Sequence, residues 1–182
     1  TWENNSIYYI TNGIWSPLKR VDDGWGFWDG VRSANLFLEN FDPKVLERFQ
    51  YNEDYDEMID KASKFSLEVR FLRAFYLFEL AKRYGDIPLI TRTYTQEEIN
   101  SVRKTSFADV IDFIAKECTE ITREGGLPED GVRGETGRVT KGAALALKSR
   151  ALLYAASDLH NPAHDLTKWE EAAKAAYEVI KM

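Results

Sequence analysis

The sequence has little of what several common classes of protein require. A single cysteine, Cys118, cannot form an intramolecular disulfide, so a disulfide-stabilised scaffold is excluded. The longest apolar run, AFYLFELA from Ala74, is too short to cross a bilayer. Lysine and arginine number 24 against 30 aspartates and glutamates, a net charge of −6. Without a basic stripe to neutralise phosphates, binding to nucleic acid is excluded as a function.

The remaining composition is that of a folded helical protein. With 182 residues, of which 44% are hydrophobic and 30% charged, the chain is long enough for one domain with a core. It begins at Thr1 without a signal peptide or a lipid-attachment cysteine, and it stops at Met182 within a helical pattern. We therefore expect residues 1–182 to be a single helical domain from a longer chain. A loop-rich segment, 1–24, would precede helical pairs over 25–182.

The stretch Ser66–Ile90 predicts the central helix. Ser66 is a favourable N-cap, Gly85 is a favourable helix-ending residue, and Pro88 prevents continuation, which leaves about five turns between them. The apolar residues fall on two adjoining stripes, Leu67, Phe71, Ala74, Phe78 and Ala81 on one and Val69, Leu72, Tyr76 and Leu80 on the other. A helix that is apolar on two sides lies between neighbours, so this one is predicted to be an inner element of an all-α fold.

The rest of the chain predicts further helices separated by polar connections. The predicted helices are Trp25–Asn40, a short one near Val45–Phe49, Ser106–Arg123, Thr140–Ser157 and one from Trp169 onward. The acidic stretch Asn52–Glu57 and the glycine-rich residues 124–138 are predicted to be loops. The many small residues after Thr140 predict a tight helix pair. Trp169, Ala172, Ala173 and Ala176 follow the spacing of a tetratricopeptide first helix, so we expect helical pairs opened by inserted loops.

Two polar residues on buried faces of these helices have alternative interpretations. Asn35 is a candidate ligand contact, but the favoured interpretation is that it bridges neighbouring backbone groups. Cys118 falls on the apolar face of the fourth predicted helix, with Phe107, Ile111, Ile114 and Ile121. A buried structural thiol is favoured there over a reactive one.

No catalytic motif is present, so we do not expect an enzyme or a cofactor. The sequence has no nucleophile–base motif, no CxxC and no nucleotide-binding glycine loop. His160 and His164 have a metal-like spacing, and Asp158 or Asp165 would complete a site. Because Pro162 breaks the helix between the histidines, an ordinary turn is favoured over a metal site.

Three stretches of this sequence resemble the SusD/RagB family. They are EVRFLRAFY with YGDIPL within 68–89, KGAALALKSRALLYAAS at 141–157 and WGFWDGVRSANLFLENF at 25–41. The resemblance implies a right-handed superhelix of tetratricopeptide-like pairs with long inserted loops. It also implies a surface-exposed, glycan-binding lipoprotein of the Bacteroidetes outer membrane that passes oligosaccharide to a SusC-like TonB-dependent transporter. The membrane would be reached only through an N-terminal lipid anchor that this chain lacks.

The expected ligand-binding residues lie before the first helix. The segment 1–24 is rich in aromatic and amide side chains, namely Trp2, Tyr8, Tyr9, Trp15, Asn4, Asn5 and Asn12. Aromatic faces stack on the C–H face of a pyranose, and amides hydrogen-bond its hydroxyls. By position, this segment resembles the loop from which family members present an aromatic residue to glycan. We predict Trp15 and Asn12 first, then Trp2 and Tyr9, as contacts.

Two alternatives to this site and function stay open. In the first alternative, the aromatic residues of the segment 1–24 seal the helical core instead of contacting a ligand. Trp25 is a weaker candidate for a ligand contact, because we expect it to open the first helix. The chain as a whole would otherwise be a tetratricopeptide-type scaffold for protein–protein interaction without sugar binding. An aromatic-rich first loop favours the glycan-binding function.

Overall fold

The computed structural model describes residues 11–13, 24–123, 125–129 and 137–182, and within these ranges the fold is all-α as predicted. Its helices are α1 (Phe27–Asn40), α2 (Tyr55–Tyr84), α3 (Gln96–Ile99), α4 (Phe107–Ile121), α5 (Lys141–Ala156) and α6 (Leu166–Ile180), with a 3-10 helix at Pro43–Phe49. None of these helices is both long enough and apolar enough to span a membrane.

The long helices follow one another in a row, each packed against the one before it. Helix α1 packs on α2, α2 on α4, α4 on α5 and α5 on α6, so the expected pairs are present. Helix α2 contacts α1, α4 and α5, and it buries Ala74, Leu77, Phe78 and Leu80 completely. The prediction that this helix is an inner element is confirmed.

Helix α1 approaches α2 closely at Gly30. A Cβ atom at this position would lie 2.5 Å from the Tyr76 ring, well inside van der Waals contact. One turn earlier on α1, the Phe27 ring stacks on Tyr76 with 5.8 Å between ring centroids. Glycine at position 30 therefore permits the aromatic packing that holds the first pair together.

The start of α2 was predicted wrongly. The helix begins at Tyr55 instead of Ser66, so the second half of the acidic stretch Asn52–Glu57 is helical and not a solvated loop. Acidic residues in a first helical turn are stabilised by the helix dipole, and the Glu57 carboxylate pairs with Lys61 at 2.8 Å one turn later. The charges that suggested a loop instead stabilise an exposed helical extension.

The motif YGDIPL joins the end of α2 to the start of α4. Gly85 ends α2 with a φ of +69°, a conformation that favours glycine. The next residue, Asp86, accepts a hydrogen bond through Oδ1 from the Phe107 backbone N–H at 2.8 Å, in the first turn of α4. The Thr105 N–H donates to the Ile87 carbonyl at 2.8 Å. These bonds hold the end of α2 next to the start of α4, although 22 residues separate the two helices in the chain.

The small residues after Thr140 form the predicted pair. Thr140 caps α5 by accepting from the Ala143 N–H at 3.3 Å, and α5 packs on α6. The buried residues of α6 are the alanines Ala172 and Ala175. Helix α6 begins at Leu166, earlier than the Trp169 expected from the tetratricopeptide spacing, because Asp165 accepts the Thr167 N–H and caps it.

Candidate functional site

Of the four predicted ligand contacts, the structure describes one. Asn12 lies in the short described piece 11–13 and is exposed, so its amide is accessible to a ligand. Trp15, Trp2 and Tyr9 lie outside the described residues. The geometry that bears on a site therefore comes from the helical framework into which the segment 1–24 leads.

Asn35 is a buried polar residue of that framework, and the structure shows which groups it bonds. Its side chain is 1% exposed, and its Nδ2 donates to the carbonyls of Ile90 at 3.2 Å and Arg92 at 3.1 Å. Its Oδ1 accepts from Arg73 Nη1 at 2.9 Å. All of these partners belong to the protein, so the favoured interpretation, a bridge to neighbouring backbone, is confirmed.

The two arginines of the motif EVRFLRAFY continue this network to α4. Arg73 Nη2 donates to Glu117 Oε2 at 3.0 Å, and Arg70 binds the same carboxylate through Nε at 3.1 Å and Nη2 at 2.6 Å. Arg70 Nη2 also reaches Glu120 Oε2 at 2.6 Å. Residues three apart on a helix lie on one face, so the spacing of the arginines places both guanidinium groups on Glu117.

Burial and the two arginines act in opposite directions on Glu117. Burial alone would raise the pKa of this carboxyl, but hydrogen bonds and charge from Arg70 and Arg73 lower it below its ordinary value. Glu117 is therefore ionised at neutral pH and shared between two cations. The network links α1, α2 and α4, and of its buried side-chain nitrogen and oxygen atoms only Arg73 Nε has no hydrogen-bond partner among the described residues.

Cys118 lies next to this network and is fully buried, as predicted. Burial, with the nearby charge of Glu117, raises the pKa of the thiol to about 12. At neutral pH the thiol is protonated, and the thiolate is the reactive form.

We expect native protein at pH 8 to be almost inert to 5,5′-dithiobis(2-nitrobenzoic acid), because the Cys118 thiol is both inaccessible and protonated. In denaturant the same thiol should react rapidly. Release of the coloured thiolate with time measures both rates. Fast, stoichiometric labelling of the native protein would contradict the burial of Cys118.

The two histidines lie in the turn between α5 and α6, as the break at Pro162 predicts. The His160 ring stacks on Phe107 with 3.6 Å between centroids and 10° between planes. Burial lowers the pKa of His160, which keeps it neutral. His164 Nδ1 is 3.6 Å from Asp158 Oδ1. No group of three or more potential metal ligands is gathered anywhere in the described part of the chain.

An exposed group of aromatic rings lies where the first segment enters α1. Trp25 is 60% exposed, and its ring centroid is 5.9 Å from that of Tyr84, with 87° between the planes. Trp28 lies beneath, its centroid 6.4 Å from Trp25. We call Trp25, Trp28 and Tyr84 the aromatic corner. Sequence reasoning did not place Tyr84 beside Trp25, because Tyr84 was considered only as part of the motif YGDIPL.

The described residues also line a cavity. A cavity of about 520 Å³ lies between the ends of α4 and α6 and the start of α5. Its wall includes the ion pairs Lys141–Glu129 and Lys148–Glu178, with nitrogen–oxygen distances of 2.9 and 3.0 Å. None of the described residues that line it is aromatic, so these residues offer no face on which a sugar ring would stack.

Comparison with known proteins gives matches over most of the chain. Residues 24–153 match a family model described as starch-binding and associating with the outer membrane. No protein of curated function matches.

Solved structures are similar over a larger part of the chain. A SusD-like protein from Bacteroides fragilis is 32% identical over 88% of this chain, with a TM-score of 0.66. A structure named as a laminarin-binding SusD-like protein is 28% identical over 86% of this chain, with a TM-score of 0.64. A SusD superfamily protein from Parabacteroides distasonis is 27% identical over 88% of this chain, with a TM-score of 0.63. This chain spans 27%, 29% and 31% of those three proteins.

Proposed function

The chain belongs to the SusD/RagB family, and from this premise we propose that it forms part of a glycan-binding protein of the bacterial cell surface. The observation that carries the proposal is the match of residues 24–153 to a family described as starch-binding. The similarity to a structure named as laminarin-binding adds support. Both names refer to polymers of a hexose, so an oligosaccharide or polysaccharide is the proposed ligand class.

The proposed contacts are those that the sequence predicts. Trp15, Trp2 and Tyr9 supply aromatic faces for the apolar side of a pyranose, and Asn12 supplies an amide for its hydroxyls. The exposure of Asn12 supports this role.

The proposed setting is the outer membrane, which the family description names. There, residues 1–182 act as one helical domain of a longer, lipid-anchored protein exposed at the cell surface. That protein passes its glycan to a SusC-like TonB-dependent transporter. It catalyses no reaction, needs no cofactor, and contacts the membrane only through its anchor.

The test is native affinity electrophoresis of the full-length protein in gels that contain one polysaccharide each. We expect at least one polysaccharide to retard the protein. Trp15→Ala should lower the affinity obtained from that retardation about tenfold, because a stacking ring is lost. Trp169→Ala is the matched control, since it removes a tryptophan from α6, which packs on α5, and it should be retarded like the wild type.

The outcomes separate this function from its alternative. Retardation that survives Trp15→Ala would keep glycan binding but remove Trp15 from the site. Absence of retardation in every gel would contradict glycan binding and favour the protein–protein interaction scaffold.

A further inference from the structure

We propose that Asn12 is a site of spontaneous deamidation, in which the backbone nitrogen of Gly13 attacks the side-chain amide of Asn12. The reaction needs only these two residues and water, so its occurrence does not depend on what the protein binds. Its effect on glycan binding rests on the proposed function, because Asn12 is one of the proposed contacts.

The residue that follows Asn12 sets it apart from the other asparagines. Asparagine is among the thermally labile residues. A side chain on the following residue crowds the backbone nitrogen that attacks the amide, and glycine has no side chain. Asn12 is followed by Gly13, and none of the other seven asparagines precedes a glycine. Asn12 therefore has the least hindered attacking nitrogen in the chain.

The structure keeps this pair accessible. Asn12 and Gly13 lie in a turn, and both residues are exposed. Gly13 has a φ of +64°, in the left-handed region that favours glycine, so the turn itself requires the small residue after Asn12. A Cβ atom added to Gly13 would meet no described atom within 4 Å beyond its chain neighbours. The surroundings of the attacking nitrogen are therefore open.

Hydrogen bonds do not restrain the pair within the described part of the chain. Neither the Asn12 side chain nor the Gly13 N–H bonds to a described residue. Asn35 has the opposite arrangement, since it is 1% exposed and its Nδ2 donates to the carbonyls of Ile90 and Arg92. An amide held by two carbonyls cannot turn towards the next backbone nitrogen. Asn12 is thus the accessible asparagine, and Asn35 is its protected counterpart.

The reaction exchanges the amide for a carboxylate by way of a cyclic imide. Hydroxide removes the Gly13 N–H proton, and the nitrogen bonds to Asn12 Cγ while the bond from Cγ to Nδ2 breaks. Nδ2 takes up a proton from water and leaves as ammonia. Water then opens the five-membered ring, at Cγ to give aspartate or at the backbone carbonyl carbon to give isoaspartate. One water is consumed and one ammonia is released, with no oxidation or reduction.

Either product changes what position 12 offers to a ligand. An amide donates and accepts hydrogen bonds, whereas a carboxylate only accepts them, so the donor to a sugar hydroxyl is lost. The conversion also adds one negative charge to the net charge of −6. Deamidated protein and Asn12→Asp should bind the retarding polysaccharide about fivefold more weakly than fresh protein, since one hydrogen bond is lost.

The experiment is incubation of the full-length protein at pH 7 and pH 9, then digestion with pepsin at acid pH and peptide mass spectrometry. Asn100 is the matched control, because it is exposed but precedes Ser101. Asn12 should lose its amide about tenfold faster than Asn100, a barrier difference of about 1.4 kcal/mol. The rate at Asn12 should rise with pH, because the attacking nitrogen must lose its proton. Electron-transfer fragmentation should detect isoaspartate at position 12, and Asn35 should keep its amide.

Two variants test the mechanism. Asn12→Gln lengthens the side chain by one carbon, so the ring would need six atoms, and the amide should persist. Gly13→Ala places a Cβ atom beside the attacking nitrogen and should slow the loss of the Asn12 amide. Alanine disfavours the positive φ at position 13, so circular dichroism with a thermal melt checks that this variant folds. Asn12→Gln does not introduce that strain.

Deamidation and glycan binding fail in different measurements. Equal rates at Asn12 and Asn100, or aspartate without isoaspartate at position 12, would overturn the proposal. Loss of the Asn12 amide only in denaturant would overturn it as well, because the native turn would then be protective. If deamidated protein is retarded by polysaccharide as strongly as fresh protein, deamidation stands and Asn12 is removed from the glycan contacts. If no polysaccharide retards either form, glycan binding fails and deamidation stands.

Discussion

Replacing Glu117 by alanine is expected to lower the free energy of unfolding by about 3 kcal/mol or more, because it leaves the buried cation of Arg73 without its carboxylate partner. The Glu117 and Arg73 side chains are each 10% exposed, and that of Arg70 is 25% exposed. Removal of the carboxylate also releases the contact of Arg73 with α4, while Arg70 keeps Glu120 as its partner on that helix. Chemical denaturation of the full-length protein, followed by helical circular dichroism, measures the change.

Glu129→Ala is the matched control for Glu117. Its carboxylate also pairs with a cation, Lys141 Nζ at 2.9 Å, but its side chain is 74% exposed. Little change in stability is expected there, since exposed pairs are well hydrated when broken. Because the pKa of Glu117 is lowered in the folded state, its contribution is present at neutral pH and is lost as the pH falls through that lowered pKa. Equal losses in the two variants would contradict the structural role of the network.

Replacing Phe78 by alanine is expected to cost about 3–5 kcal/mol of stability, from lost burial and the cavity that remains. Phe78 has no exposed surface and lies at the middle of the core that α2, α4 and α5 share. Its ring meets Tyr154 of α5 edge-to-face, with 5.3 Å between centroids. Chemical denaturation followed by circular dichroism measures this change as well. A loss of the helical signal already at low denaturant concentration would show that the helical pairs separate.

Two further variants test whether the loss at position 78 comes from its location. Phe78→Leu keeps most of the apolar volume and should lose less stability than alanine. Leu159→Ala removes an apolar side chain that is 83% exposed, in the turn after α5, and should change stability little. A Phe78→Ala loss no larger than that of Leu159→Ala would contradict the central position of α2.

Most of the helical framework could be predicted because its apolar residues repeat with the helical period. The buried face of α4 includes every residue that the spacing indicates, and Ser106 and Thr140 cap the helices that were predicted to begin at them. The start of α2 could not be predicted in the same way. Five of the eleven residues 55–65 are charged. Their helix depends on ion pairs one turn apart and on continuation from a stable helix, and an apolar pattern reveals neither.

The polar residues within the framework were harder to predict because their partners are distant in the chain. Arg70 and Arg73 share the partner Glu117, which lies 47 and 44 residues further on in the chain. The use of Asn35 as a bridge followed from its place on a buried face, but its partners, the Ile90 and Arg92 carbonyls, follow only from the fold. Long-range pairing of this kind is decided by which helices become neighbours.

The candidate site was predicted in part, for a related reason. The segment 1–24 attracts attention through its composition, since aromatic and amide residues are concentrated there. The aromatic corner has no such signal, because Trp25 and Tyr84 are 59 residues apart and meet only when α1 packs on α2. Trp25 also resembled a helix-opening residue, and only the turn at Gly24 places it outside α1.

A crystal structure of the full-length protein with the polysaccharide fragment that retards it would test the central claim most directly. We predict a pyranose ring packed on at least one of Trp15, Trp2 and Tyr9, with a hydroxyl bonded by Asn12. An oligosaccharide that contacts only residues outside this chain would contradict the claim that residues 1–182 form part of the glycan-binding site.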